Sequence, residues 1–321
     1  MDGVMGAGSV PRVGTAAWTA ARLAWRDRAT ASARALIAAR RAAAGAPPLT
    51  DALETRKTPL DAGVHATPAH RSSMSPSDCW PPGASRPRPG MASRHVIDDA
   101  FDPRDLSVLV AAARTSMNAL RARSGEASAV ALGRGSEGIL GLDAHVAMRR
   151  TIRAMTETAR RAVHGAPPAV PARDDRTEEG AHSDDDDAPT LSPAGALFTH
   201  IVPGETSVTS VTPSTPSTPS TPIDTHGYWS PHVDKANVPE YDVSAVLYLS
   251  DGDGVDFAGG ELNFMDAKGG WKTVTPRRNR LVVFSSGEEN VHAVGVVSSG
   301  ERTTLNLWLT RDPRVAAPED D

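Results

Sequence analysis

His232 and Asp234 stand two positions apart in the run His-Gly-Tyr-Trp-Ser-Pro-His-Val-Asp-Lys, residues His226 to Lys235. In an extended strand, residues i and i+2 point to the same face, so this spacing offers an imidazole and a carboxylate side by side. One more histidine completes a facial site of two histidines and one carboxylate. Such a site holds Fe(II) on one face of an octahedron and leaves the opposite face open for a cosubstrate and O2. His292, within Glu-Asn-Val-His-Ala-Val-Gly-Val-Val, is the candidate third ligand. Spelling alone is weak, since His182-Ser-Asp184 has the same pattern. That pair lies in an acidic tract with no strand to aim it and is read as accidental. Glu288 and Glu289 precede His292 in a loop as rival carboxylates, and Asp234 has the better placement.

Arg302 opens the last apolar strand, ten residues beyond His292. A metal site by itself has no use for a buried guanidinium. An anionic cosubstrate does, because Arg pairs with carboxylates bidentately and cannot lose its charge. Tyr248, in an earlier strand, adds a hydroxyl to the same carboxylate. The constellation therefore reads as a metal cage beside a dicarboxylate slot. Tyr228 and Trp229 are candidates for the substrate mouth, with packing as the alternative. His226 is read as a partner to the ligands or as a loop residue, and Trp308 as core.

These side chains need strands to aim them. Tyr241 to Leu249 alternates, with Val243, Ala245, Leu247 and Leu249 on one face and Ser244, Val246 and Tyr248 on the other. Further strands are predicted over 195–202, 259–265, 271–274, 280–284, 291–297 and 302–309, and a short one within 94–101. Asn279 supplies turn chemistry, since Asn tolerates positive φ. The Gly259-Gly260 pair is expected at a turn or bulge. Leu106, Leu109, Val110, Ala113, Met117 and Leu120 recur at helical steps over 103–122. A second helix is predicted from Asp143 to about Val163, with Met148 and Met155 as core filler. Two helices ahead of several short strands point to an α+β fold, with helices packed on one face of a sandwich or jelly roll.

The remaining sequence is poor in core material. Aromatics make up 4% of the 321 residues, against 26 prolines and 27 glycines. Residues 1–93 are read as a low-complexity, largely disordered region, 94–313 as the folded domain, and 314–321 as an acidic tail. Helical support is expected over 103–165, disordered insertions over about 171–193 and 205–222, and the catalytic core over 224–311. The Thr-Pro-Ser repeat of the second insertion reads as a spacer, a modification site or a lid. A formal charge of -5 with no basic stripe argues against nucleic acid. The single cysteine, Cys79, forbids an intrachain disulfide and a Cys-rich zinc module. No apolar run reaches eighteen residues, so no membrane-spanning helix is expected. Residues 1–50 carry seven Arg, no Lys and two acids, the composition of a transit peptide or of an Ala-rich helical arm.

Taken together, His232-x-Asp234, His292 and Arg302, with Tyr248 and Trp308 in the intervening and following strands, resemble the 2-oxoglutarate and Fe(II)-dependent dioxygenases, in their prolyl 4-hydroxylase-like branch. The phrases Tyr-Trp-Ser-Pro-His-Val-Asp-Lys, Ala-Val-Leu-Tyr-Leu-Ser-Asp, Asp-Phe-Ala-Gly-Gly-Glu-Leu, Ser-Ser-Gly-Glu-Glu-Asn-Val-His and Gly-Glu-Arg-Thr-Thr-Leu carry the likeness. It is specific over about 224–311 and looser over 94–203. The resemblance implies a double-stranded β-helix with Fe(II) held by His232, Asp234 and His292 and 2-oxoglutarate chelating the metal. It implies Arg302 and Tyr248 on the far carboxylate, Asn306 touching the cosubstrate, O2 as oxidant and L-ascorbate as reductant. The implied reaction hydroxylates a C–H bond, of a prolyl residue in a protein or peptide by preference, with release of succinate and CO2. A small-molecule substrate and a non-catalytic metal- or peptide-binding jelly roll remain open. For location, the endoplasmic reticulum is one expectation by family analogy, beside a soluble cytoplasmic default and an organelle reached through the Arg- and Ala-rich N-terminus. Oligomeric state is left open.

Overall fold

A computed structural model of the chain describes residues 31, 35, 37–43, 45, 57–66, 93–124, 129–132, 140–163, 190–204, 210–211, 231–238, 240–266 and 270–317. Among them the strands run β1 Lys57–Pro59, β2 Gly63–Ala66, β3 Ser93–Ile97, β4 Ala129–Leu132, β5 Ser192–Ile201, β6 Ser210–Val211 and β7 Val243–Tyr248. They continue with β8 Phe257–Gly259, β9 Leu262–Met265, β10 Trp271–Val274, β11 Leu281–Ser285, β12 His292–Val294, β13 Val297–Gly300 and β14 Arg302–Thr310. Helices among the described residues include α1 Pro103–Ser124, α2 Leu142–Val163 and the single turn α3 Asp234–Asn237, and residues 37–43 are also helical. No helix among the described residues is long and apolar enough to cross a membrane.

Two sheets face each other. The larger has the order β2-β3-β11-β7-β14-β5-β4-β6, the smaller β1-β10-β9-β12, and β8 pairs with β13 as a separate ribbon. This is the α+β jelly roll that the strand pattern predicts, and the period-2 alternation explains how it closes. Val243, Ala245 and Leu247 of β7, Leu305, Leu307 and Leu309 of β14, and Leu281 and Val283 of β11 point outward. There they bury against Leu109 and Ala113 of α1 and Met148, Met155 and Ala159 of α2. The alternate residues Val246 and Tyr248 of β7 and Val282 and Phe284 of β11 point into the roll. They meet Leu262 and Phe264 of β9, and Val274 of β10, from the smaller sheet. A one-residue slip would exchange these two faces and abolish both cores.

Turn chemistry fixes the entry to β11. Asn279 adopts φ 65°, and its side chain accepts from the Phe101 amide and donates to the Phe101 carbonyl. Arg280 then grips Asp98 at 2.6 and 2.9 Å. That pairing holds the Asp98 carboxyl below its ordinary range, chiefly through the Arg280 hydrogen bond.

Several elements differ from expectation. Within residues 1–93, read from the sequence as low-complexity and largely disordered, lie β1 and β2, with β1 adding in parallel to β10 and β2 antiparallel to β3. These strands are three and four residues long and carry little apolar pattern, so their existence rests on edges supplied by the rest of the fold. Likewise β4 adds to the edge of β5, and β6 adds in parallel to the edge of β4. Strand β5 starts at Ser192 and so includes Pro193, which lies past the end of β4 where a missing amide costs no ladder bond on that side. The predicted strand 259–265 is broken at Gly259 and Gly260, both at positive φ, into β8 and β9. Trp308 is half-buried rather than core, stacked on Tyr241 with ring centres 5.4 Å apart.

Met155 is fully buried where α2 meets the large sheet. Met155→Ala is expected to lower the free energy of unfolding by about 2–5 kcal/mol, read as a fall in the denaturation midpoint with an unchanged slope.

Candidate metal centre

Two histidines distant in sequence are joined here by their own backbones. The His232 amide donates to the His292 carbonyl at 2.9 Å, and the His292 amide donates to the His232 carbonyl at 2.9 Å. This antiparallel bridge lies beyond β12, whose other edge is paired with β9. Opposed residues of such a pair present their side chains on the same face, and the two imidazole centres lie 4.4 Å apart. Asp234 follows through extended Val233 but opens the turn of α3 rather than continuing a strand. The shared face of the pair thus arises from a bend as well as from strand spacing. Asp234 Oδ1 sits 3.9 Å from His232 Nε2 and 3.8 Å from His292 Nε2. Ligand atoms of all three residues lie within 4.8 Å of one another. Asp234 and His292 are buried and His232 is partly open to solvent.

The unused atoms of these ligands are tied down. Ser244 Oγ, on the inward face of β7, donates to Asp234 Oδ2, and Ser286 Oγ stands 2.7 Å from Ser244 Oγ. That leaves Oδ1 facing the imidazoles. His292 Nδ1 lies 2.9 Å from the Asn290 carbonyl oxygen, and a carbonyl can only accept. The proton therefore sits on Nδ1 and the lone pair on Nε2. Burial first, then the neighbouring His232, pushes His292 down to about 4, against the opposing pull of Asp234, so the ring is neutral near pH 7. The rings of Phe284 and Phe264 back it at 5.1 and 6.0 Å. Two imidazoles and one carboxylate form a donor set suited to Fe(II).

The second half of the arrangement lies on β14 and β7. Arg302 is buried, and its Nε donates to the Gly260 carbonyl at 2.8 Å. Its guanidinium carbon lies 5.3 Å from the centre of the Tyr248 ring. Tyr248 is fully buried, and its hydroxyl has no hydrogen-bond partner among the described residues. Burial raises the Tyr248 pKa, with the Arg302 charge opposing, so the phenol stays protonated. A buried hydroxyl beside a buried guanidinium places two donors close together, a pairing suited to an anionic acceptor. Asn306 is half-buried, its Nδ2 at 3.2–3.4 Å from Thr304 Oγ1, Thr199 Oγ1 and the Leu197 carbonyl, so its amide is engaged within the sheet.

Glu289 takes a hydrogen bond from Ser285, and it is not among the three residues whose ligand atoms converge. His226, Tyr228 and Trp229 lie outside the described residues. Sequence reasoning missed Ser244, Ser286 and Asn290. Ser244 shares the inward face with Tyr248, and a polar residue at an interior position is the signal that marks it.

Residues 222–310 match the model of the 2OG-Fe(II) oxygenase superfamily. The chain is 44% identical over 89 residues to 2-oxoglutarate and iron-dependent oxygenase domain-containing protein 3 of Xenopus tropicalis, covering 28% of this chain and 27% of that one. It is 46% identical over 74 residues to prolyl 3-hydroxylase 2 of Homo sapiens, covering 22% of this chain and 10% of that one. It therefore spans about a quarter or less of the length of these curated relatives. Among solved structures, a Pseudomonas putida prolyl-4-hydroxylase aligns over 68% of this chain and 92% of its own at 18% identity and a TM-score of 0.41.

Ser244→Ala is expected to weaken Fe(II) binding by about tenfold or more under anaerobic titration, because Oδ2 loses the donor that orients the carboxylate. Wild-type affinity in a folded variant would show that Asp234 needs no such support.

Proposed function

We propose, taking the 2OG-Fe(II) oxygenase superfamily match over residues 222–310 as premise, that this chain is a dioxygenase using Fe(II), 2-oxoglutarate and O2 to hydroxylate a C–H bond of a protein substrate, a prolyl residue being favoured. The observation that carries the reading is the convergence of His232, Asp234 and His292 from separate elements on one point. The preference for a prolyl target rests on the likeness to prolyl 3-hydroxylase 2, and L-ascorbate is the proposed reductant.

In this reading His232 Nε2, His292 Nε2 and Asp234 Oδ1 would hold an iron, whose chemistry with the cosubstrate and O2 would be the oxidative decarboxylation of 2-oxoglutarate and the insertion of oxygen. The chain itself supplies placement. Ser244 keeps Asp234 with a single oxygen toward the site, and Asn290 keeps the His292 lone pair on Nε2. Arg302 would neutralise the far carboxylate of the cosubstrate, and the Tyr248 hydroxyl, without a partner among the described residues, would donate to it. Phe264, Phe284 and Tyr248 line the interior and keep water from competing at these contacts.

Purified protein is expected to release CO2 from labelled 2-oxoglutarate with Fe(II), and His232→Ala is expected to abolish this. Release no greater than that control would leave a metal- or peptide-binding module. Arg302→Ala is expected to weaken 2-oxoglutarate by more than about 2 kcal/mol, roughly thirtyfold in apparent affinity, and an unchanged value would remove Arg302 from the slot. Gly260 sits at φ +67, where an added Cβ would come within 2.7 Å of Arg302 Cδ. Gly260→Ala is thus expected to raise the apparent KM for 2-oxoglutarate while Fe(II) affinity holds, as measured by separate titrations of the two.

A further inference from the structure

Arg94 of β3 is 1% exposed, with the Glu289 and Asp266 carboxylates near enough to favour its charge. It shares the inward face of β3 with Val96, and its guanidinium carbon lies 4.4 Å above the centre of the Phe264 ring. Its Nε donates to Asn290 Oδ1 at 2.6 Å, and its Nη2 reaches the Glu289 carbonyl at 3.3 Å. Burial lowers its pKa to about 10, so the group remains a cation near neutrality. A buried charge whose direct hydrogen bonds go to neutral acceptors is costly to keep even where Glu289 and Asp266 offset part of the cost, and a hydrophobic side chain of similar volume would fill the space more cheaply. What it grips gives a reason for it.

Asn290 is itself buried and fully engaged. Its Nδ2 donates to the Ser285 carbonyl and to Ser285 Oγ, each at 2.9 Å, and its amide donates to the Gly287 carbonyl at 3.0 Å. Its own carbonyl is the acceptor for His292 Nδ1. A guanidinium from a strand 196 positions away therefore clamps the turn 288–290 from inside the roll, at the residue that sets the orientation and tautomer of a histidine two positions on.

We infer that Arg94 is a positioning residue for the metal centre: acting through Asn290, it fixes the carbonyl that holds the His292 proton on Nδ1 and directs Nε2 at the metal. This rests on the reading of His232, Asp234 and His292 as metal ligands. It predicts that Arg94 affects metal affinity without touching metal, cosubstrate or substrate.

The test combines anaerobic Fe(II) titration with ¹⁵N NMR of the His292 ring in the metal-free protein, on wild type, Arg94→Met, Asn290→Ala, the double variant and Arg94→Lys. Each single substitution is expected to weaken Fe(II) by about 10- to 100-fold and to shift the ring from the Nδ1–H form to a mixture. The double variant is expected to be no weaker than the poorer single, because both break one linkage. Should Arg94→Met not fold, Arg94→Lys carries the test, since Lys keeps the charge but cannot span both acceptors. A folded Arg94→Met or Arg94→Lys with wild-type affinity and tautomer overturns the inference, and so do effects that multiply in the double variant. His292→Ala separates the two levels. If it binds Fe(II) as well as wild type, the metal reading itself fails. If it loses Fe(II) while the Arg94 variants do not, only the role of Arg94 fails.

Discussion

The reciprocal backbone pair between His232 and His292 is the constraint on which the rest of the site depends. Two hydrogen bonds of 2.9 Å tie residues sixty positions apart into one antiparallel register. Once that register exists, both imidazoles emerge on one face with no further choice to make. The pair can form only if β12 keeps one edge for β9 and the other for His232. That in turn requires β9 to be held by β10 and seated through Leu262 and Phe264 in the interior of the roll. The candidate metal centre is thus a product of closing the smaller sheet.

Around this pair the polar atoms divide into those that are tied and those that face inward. Asp234 Oδ2 and His292 Nδ1 are tied, to Ser244 and to the Asn290 carbonyl, while Oδ1 and Nε2 of the same groups face one another at 3.8 Å. Arg302 is anchored at Nε by a carbonyl, and Tyr248 holds a hydroxyl with no partner among the described residues. A core built only for stability would satisfy that hydroxyl or dispense with it.

Much of this was legible in the residues, and the reason is periodicity. The alternation from Val243 to Tyr248 separates a helix-facing set from an inward set, and both sets lie where the pattern puts them. Leu109, Ala113, Met148, Met155 and Ala159 sit on the buried sides of their helices because a 3.6-residue repeat admits little else. Asn279 takes the positive φ its type permits. What escaped were elements whose existence depends on neighbours rather than on their own pattern. β1 and β2 are strands because edges await them, and Trp308 leaves the core because Tyr241 offers a stacking face at the end of β14.

The sequence alone determined the chemical types and the faces: two histidines, one aspartate, an arginine on the last long strand, and the alternation that turns Tyr248 inward. Those follow from side-chain identity and local repeat, which need no knowledge of distant residues. Only the tertiary structure decided which oxygen of Asp234 and which nitrogen of His292 face the site, that Gly260 makes room for Arg302, and that Arg94 reaches Asn290 across the roll. Each of those is settled by hydrogen bonds or close contacts between residues ten to nearly two hundred positions apart, or by a backbone turn, and no local repeat encodes them.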